Sequence, residues 1–135
     1  VNFWLLKSEP ETWSWADQTA KGRERWDGVR NHQAARHLKA MRKGDRAFFY
    51  HSGAERRIVG LVRVVREAFP DPTDPTGRFV AIDIETEGAL AQPVTLAAIK
   101  ADPALAHLGL VRQSRLSVMP IDAPAWRRIG AMGGG

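Results

Sequence analysis

The sequence predicts an α+β fold: a curved mixed β-sheet, in effect an open barrel, flanked by short helices. Three observations predict it. Several segments rich in Val, Ile, Leu and Phe are apolar on both faces, as expected of strands in a small, strongly curved sheet. Short stretches with helix-capping residues lie between and after them. The 135 residues contain no repeat, linker or low-complexity block. A chain of that length buries roughly two-thirds of the surface its unfolded form exposes. One domain is therefore expected over residues 1–132, with Gly133, Gly134 and Gly135 as a flexible tail.

In order, residues 2–7 (Asn-Phe-Trp-Leu-Leu-Lys) read as a strand buried on both sides, ended by Pro10. Ser14 and Asp17 form a capping-box pattern ahead of a short helix over about 15–20. Residues 21–25 are polar and read as a loop. Ala34, Ala35, Leu38 and Met41 recur at helical spacing, so a helix runs over about 32–42, with Asn31 as N-cap and Gly44 as its stop. Residues 46–52 and 57–67 read as two strands joined by a Gly-containing hairpin loop. Gly60 inside the second marks a bulge or the close approach of another group. Pro70, Pro72, Pro75 and Gly77 punctuate a loop in which Asp71 and Asp74 read as turn formers. Residues 79–86 alternate cleanly as a strand, with Val80, Ile82 and Ile84 on one face. Thr95 caps a short helix to about Lys100, residues 115–121 read as a last strand, and Asp122 caps a final helix docked by Trp126 and Ile129.

Composition narrows the chemistry. With no cysteine, disulfides, thiolate nucleophiles and Cys-based zinc sites are excluded. No apolar run approaches a membrane span and no signal-peptide pattern opens the chain. An intracellular, cytoplasmic protein is expected, nucleoid-associated if bacterial, with no membrane partner and a monomer favoured. The formal charge is +5, and arginine, which suits planar recognition of phosphates and base edges, outnumbers lysine heavily. Motifs for a nucleophile elbow, a P-loop, a dinucleotide fold and a zinc protease are all missing. His32 and His37, about 140° apart on a helix, make a poor metal pair. No metal, no cofactor and no catalytic residue is expected.

What remains is a theme of aromatic and hydrogen-bonding residues at strand ends. Lys7, Ser8 and Glu9 follow the first strand. Trp26, Asp27, Val29, Arg30 and Asn31 open the second helix, where free N–H groups and partial positive charge collect. Tyr50, His51 and Ser52 end the second predicted strand, and Arg115, Leu116 and Ser117 begin the last one. If curvature brings these ends together they enclose a pocket suited to a flipped or single-stranded base, held by stacking on Trp26 and by hydrogen bonds to its edge. Lys7, Arg30, Arg36 and Lys39 are candidates for phosphate contact. A structural turn, with Gly28 at an unusual backbone angle and Trp26 packed inward, is the alternative for the 26–31 stretch.

The stretches Trp4-Leu5-Leu6-Lys7-Ser8-Glu9-Pro10, Trp26-Asp27-Gly28-Val29-Arg30-Asn31, Phe49-Tyr50-His51-Ser52 and Arg115-Leu116-Ser117-Val118 together resemble the EVE domain family. The resemblance covers essentially the whole chain. It implies a PUA-like fold related to YTH domains, whose Lys-Ser pair and pocket tryptophan match Lys7, Ser8 and Trp26. It also implies non-enzymatic binding of a modified base, notably modified cytosine in DNA, with modified RNA a further possibility. The other readings are a pocket for a free nucleoside or metabolite, and an enzyme acting on a modified nucleoside. Phe79 and His32 depart from the family, which often has tryptophan and tyrosine there.

Overall fold

Residues 1–134 are described by a computed structural model. The chain opens with β1 (Phe3–Ser8), whose Trp4, Leu5 and Leu6 are all buried, so both faces of the strand are covered. Helix α1 (Trp15–Lys21) starts at the capping box: Ser14 Oγ accepts from the Asp17 N–H and the Asp17 carboxylate from the Ser14 N–H, both at 3.0 Å. The polar stretch expected as a loop contains instead a short edge strand, β2 (Arg23–Trp26). Apart from Trp26 it buries no apolar side chain, which is why its pattern does not read as a strand. Its partner β5 (Val80–Thr95) anchors it through backbone pairing and an Arg23–Asp83 ion pair of 3.1 Å.

Helix α2 (His32–Ala40) buries Ala34, Ala35 and Leu38. It ends two residues before the predicted Arg42, because the buried Asp45 carboxylate takes the Arg42 N–H at 2.9 Å. The same carboxylate accepts from the Asn2 N–H and from Trp4 Nε1. Gly44, at φ +94°, therefore serves this turn and not the helix stop. Strands β3 (Arg46–His51) and β4 (Arg57–Pro70) form a hairpin. β4 and β5 run beyond their expected ends at Glu67 and Thr86. The second half of β5 is mostly exposed and carries Gly88 and Pro93, so it lacks the alternation of its first half.

The remaining elements are α3 (Leu96–Lys100), a 3-10 turn (Pro103–Leu105), α4 (Gly109–Arg112), β6 (Val118–Ile121) and α5 (Ala123–Met132). The 3-10 turn and α4 were not expected, and β6 begins at Val118 where the sequence predicts a strand from Arg115. Residues 115–117 form a turn instead, with the Leu116 N–H donating to the Gln113 carbonyl at 3.1 Å. Gly133 belongs to the fold: it is buried, and its N–H donates to the Ile129 carbonyl at 3.0 Å while its carbonyl accepts from the Gln92 N–H. Of the expected tail, Gly135 lies outside the described residues.

The six strands form one mixed, unclosed sheet in the order β2-β5-β4-β3-β1-β6. Among the described residues only β1 and β3 pair in parallel. Strands β1 and β2 are four places apart in this order, which in a flat sheet would separate them by roughly 19 Å. The sheet is far from flat. Trp26 of β2 meets Phe49 of β3 edge-on at 5.7 Å, across two intervening strands. Register shifts at Phe49/Tyr50 and at several points between β4 and β5 supply that bend. Gly60 lies at one of them. A Cβ there would sit 2.3 Å from Trp15 Cζ2, so the close approach expected at this glycine is that of the Trp15 indole.

Candidate functional site

Curvature brings the end of β1, the segment ahead of α1 and the β2–α2 connection around a cleft of about 540 Å³. That volume falls within the usual small-ligand range of roughly 300–1,000 Å³. Lys7, Ser8 and Glu9 form one side and Thr12 and Trp13 another; residues 24–31 and Ser117 complete it. Two clusters read from the sequence thus meet here, together with Ser117.

The Trp26–Asn31 stretch is both a turn and a cleft wall. Trp26 is only 9 % exposed and packs into the core, and Gly28 adopts φ +79°. Asn31 caps α2, its Oδ1 accepting from the Ala34 N–H at 2.9 Å, which leaves its amide nitrogen free to donate. Asp27 pairs with Arg25 at 2.8 Å and keeps acceptor capacity at the surface of the cleft. Val29 is 8 % exposed, yet its backbone N–H has no partner among the described residues.

Asp71, in the proline loop between β4 and β5, holds this wall in place. Its buried carboxylate accepts from the Gly28 N–H at 2.8 Å and from Arg30 at 3.0 Å, and closes its own turn on Thr73. Burial alone would raise its pKa. Hydrogen bonds from the Thr73 hydroxyl, the Gly28 and Thr73 N–H groups and Arg30 outweigh burial and lower the value to about 2. Asp74 organises the rest of the loop in the same way, bonding Thr76, Arg78 and Phe79. The turn-forming role expected of both aspartates is present, and Asp71 adds a link to the cleft. Arg30 is consequently committed within the protein, bonded to Asp71 and Thr73 and lying 5.4 Å from the Phe79 ring. Its side chain nevertheless stays 41% exposed. His32 stacks on Phe79 at 5.0 Å, so the two departures from the family pattern face each other.

On the opposite wall, Ser8 Oγ donates to the Trp13 carbonyl, and the Glu9 carbonyl accepts from the N–H groups of Thr12 and Trp13. The Trp13 indole N–H donates at 2.9 Å to Gln18, a fully buried amide that also bonds Gly22 and Thr86. The ring is thereby oriented from beneath while remaining partly exposed. Trp13 was missed by the sequence reading. Its signal was its place immediately before the Ser14 cap, one turn after the end of β1. Lys7 Nζ donates to the Ser114 carbonyl at 3.0 Å, and burial lowers its pKa.

Other candidates sit elsewhere. Parallel pairing sets His51 beside Ser8, yet its ring turns to α1. Nε2 accepts from the Trp15 N–H at 2.9 Å, so Nδ1 carries the proton and donates to Glu55. Tyr50 is buried in the core. Ser52 supports the cleft from behind, bonding the Ser8 carbonyl and Glu9 Oε1. Leu116 is buried between a second cavity of about 520 Å³ and the groove of Arg115. Arg115 is exposed in a shallow groove that adjoins the cleft. Arg36 and Lys39 are exposed on α2 and have no carboxylate partner among the described residues. Among those residues no helix is long and apolar enough to cross a membrane.

Against this geometry the relatives can be set. A family model described as the EVE domain matches residues 2–132. Mouse thymocyte nuclear protein 1 is 46% identical over 84 residues, which cover 53% of this chain and 37% of the mouse protein. The chain thus spans little more than a third of that relative's length. Among solved structures, a Rhodopseudomonas palustris protein is 54% identical with a TM-score of 0.94, covering 99% of this chain and 94% of the other. Human THYN1 in complex with DNA containing 5-methylcytosine is 30% identical with a TM-score of 0.93, covering 100% and 99% of the two chains. A Zygosaccharomyces rouxii YTH domain, 17% identical with a TM-score of 0.59 over 98% of this chain and 86% of its own, shares the fold alone.

Proposed function

Because this chain belongs to the EVE domain family, we propose that it is a non-enzymatic reader of a modified nucleobase, with methylated cytosine in DNA as its ligand. The observation that carries the reading is the likeness, over the whole of this chain, to the THYN1 chain bound to 5-methylcytosine DNA. The cleft supplies chemistry to match. The partly exposed Trp13 offers a stacking face, and the largely buried Trp26 is also part of the lining. Asp27 accepts from the exocyclic amine of cytosine, as carboxylates do in base recognition. The unpaired Val29 N–H and the Asn31 amide donate to the ring nitrogen and carbonyl, and Ser8 adds an acceptor. Lys7 closes the cleft beside Ser117. The favoured setting for this reading is a monomer in the cytoplasm, associated with the nucleoid if the host is bacterial.

The test is fluorescence anisotropy with matched oligonucleotides carrying one 5-methylcytosine or one cytosine. The methylated strand binds more tightly, and affinity falls as salt rises because phosphate contacts release counterions. Equal affinity for the two strands would refute base reading. Tight binding of the free nucleoside with a flat salt response would assign the cleft to a metabolite, and a preference for methylated RNA would change the polymer.

A further inference from the structure

Resting on the reading of the cleft as a base site, we propose that the groove of Arg112 and Arg115 beside it binds the sugar–phosphate backbone of the same strand. This groove, of about 310 Å³, is lined by Asn31, Gln33, Gln113 and Ser114 as well as the two arginines, and no carboxylate lines it. It is continuous with the cleft. Asn31 lines both, and Lys7 of the cleft bonds the Ser114 carbonyl at 3.0 Å.

The distribution of charge points the same way. Of the thirteen arginines outside the groove, eight pair with a carboxylate, among them Arg23 with Asp83, Arg25 with Asp27, Arg30 with Asp71 and Arg46 with Glu87, while Arg36, Arg56, Arg66, Arg78 and Arg127 have none among the described residues. Arg112 and Arg115 have no ion-pair partner among the described residues. Arg112 is steadied through Nε, which donates to the Ala106 carbonyl at 3.2 Å, and its two terminal nitrogens remain available. A guanidinium held by its stem and open at its fork suits the two oxygens of a phosphodiester. The acidic side chains of the cleft, Glu9, Glu24 and Asp27, lie outside the groove. A polyanion therefore meets repulsion on the acidic side and a favourable path over the arginines. Gln33 extends the path along α2, since Arg36 lies one turn further on the same face and is exposed. Two residues first considered for the phosphates, Lys7 and Arg30, are already bonded within the protein, and this groove takes over that role.

The test compares wild type, the double variant Arg112→Ala/Arg115→Ala and a control, Lys100→Ala/Arg127→Ala, which removes the same charge outside the groove. Anisotropy is measured with a 5-methylcytosine oligonucleotide across a salt series, and the free nucleoside 5-methyldeoxycytidine is titrated by calorimetry. All four positions are exposed, and circular dichroism checks that each variant is folded. The groove variant should lose about tenfold or more in affinity for the oligonucleotide. Its log–log salt slope should be shallower by about 1.4–1.8, the counterion release of two phosphate contacts. Nucleoside binding should be unchanged, and the control should lose no more than about twofold. Wild-type affinity and slope in the groove variant would overturn the proposal, as would an equal loss with the nucleoside or in the control. Should wild type bind methylated and unmethylated strands alike, base reading fails, while the groove still stands or falls on its own variant. A wild type that binds no oligonucleotide overturns both.

Discussion

Replacing Asp71 by asparagine tests whether the cleft wall is held electrostatically from the neighbouring loop. The side chain is fully buried, and it receives the Gly28 N–H, Arg30 and both donors of Thr73. The distance from its usual value of 3.8 to about 2, at about 1.36 kcal/mol per pH unit, caps the contribution of the charge at roughly 2.5 kcal/mol. The Arg30 side chain is 41% exposed, so solvent screening brings the expected loss down to about 1–1.5 kcal/mol. Because the folded carboxyl titrates below the unfolded one, this stability is complete above about pH 4 and is lost as pH falls through the folded value near 2. Urea unfolding of wild type and Asp71→Asn between pH 7 and pH 2 measures it. The gap should be widest at neutral pH and close with acidification. A gap below about 0.3 kcal/mol at pH 7, or one unchanged by acid, would refute the mechanism, because a charge that stabilises nothing leaves no pH signature.

Trp13→Ala removes a partly exposed ring, so it should weaken binding of a methylated oligonucleotide by about tenfold or more with a modest fall in stability, following the roughly 1–3 kcal/mol of a stacked base. Trp26→Ala, by contrast, empties a buried site against Phe49 and should cost about 3–5 kcal/mol in chemical denaturation; the reverse pattern in the two variants would exchange their roles. Gly60→Ala sets a methyl group 2.3 Å from the Trp15 ring. It should lower the unfolding free energy by about 1–3 kcal/mol and alter the tryptophan fluorescence, and an unperturbed spectrum would show that α1 is not packed as described.

The local grammar of the chain was largely legible. Ser14, Asn31, Thr95 and Asp122 all cap helices where the sequence puts them, because capping depends on neighbours three residues away. The doubly buried β1 and the bend at Gly60 were legible for a similar reason. Edges were not. β2 and the second half of β5 are stabilised by partners distant in sequence, and their exposed faces erase the alternation by which strands are recognised. The candidate site divides along the same line. Lys7 to Glu9 and Trp26 to Asn31 were found because their residue types suit base binding. His51 was drawn in by its position at a strand end, but side-chain direction decides the matter, and its ring points to the α1 backbone. Arg30 looked free because its partner Asp71 lies in a different loop, and Trp13 was missed because it lies in the turn between β1 and α1, tied to β1 by the Ser8 hydroxyl.

The strand order also dictates when the cleft can exist. β4 and β5 are separated only by the loop 71–79 and can zip together locally. β1 and β3 pair across the whole of residues 9–45, during which the chain travels to the far edge of the sheet as β2 and returns. Closing so long a loop carries an entropic cost before any contact offsets it. The locally connected strands β3, β4 and β5 are therefore the natural nucleus, and the walls of the cleft are assembled last, on a platform already formed. The same hierarchy operates in reverse within the native state. Amide protons of β3 and β4 should outlast those of residues 23–31 in hydrogen exchange, because the edge strand that carries Trp26 can open while the centre of the sheet stays shut.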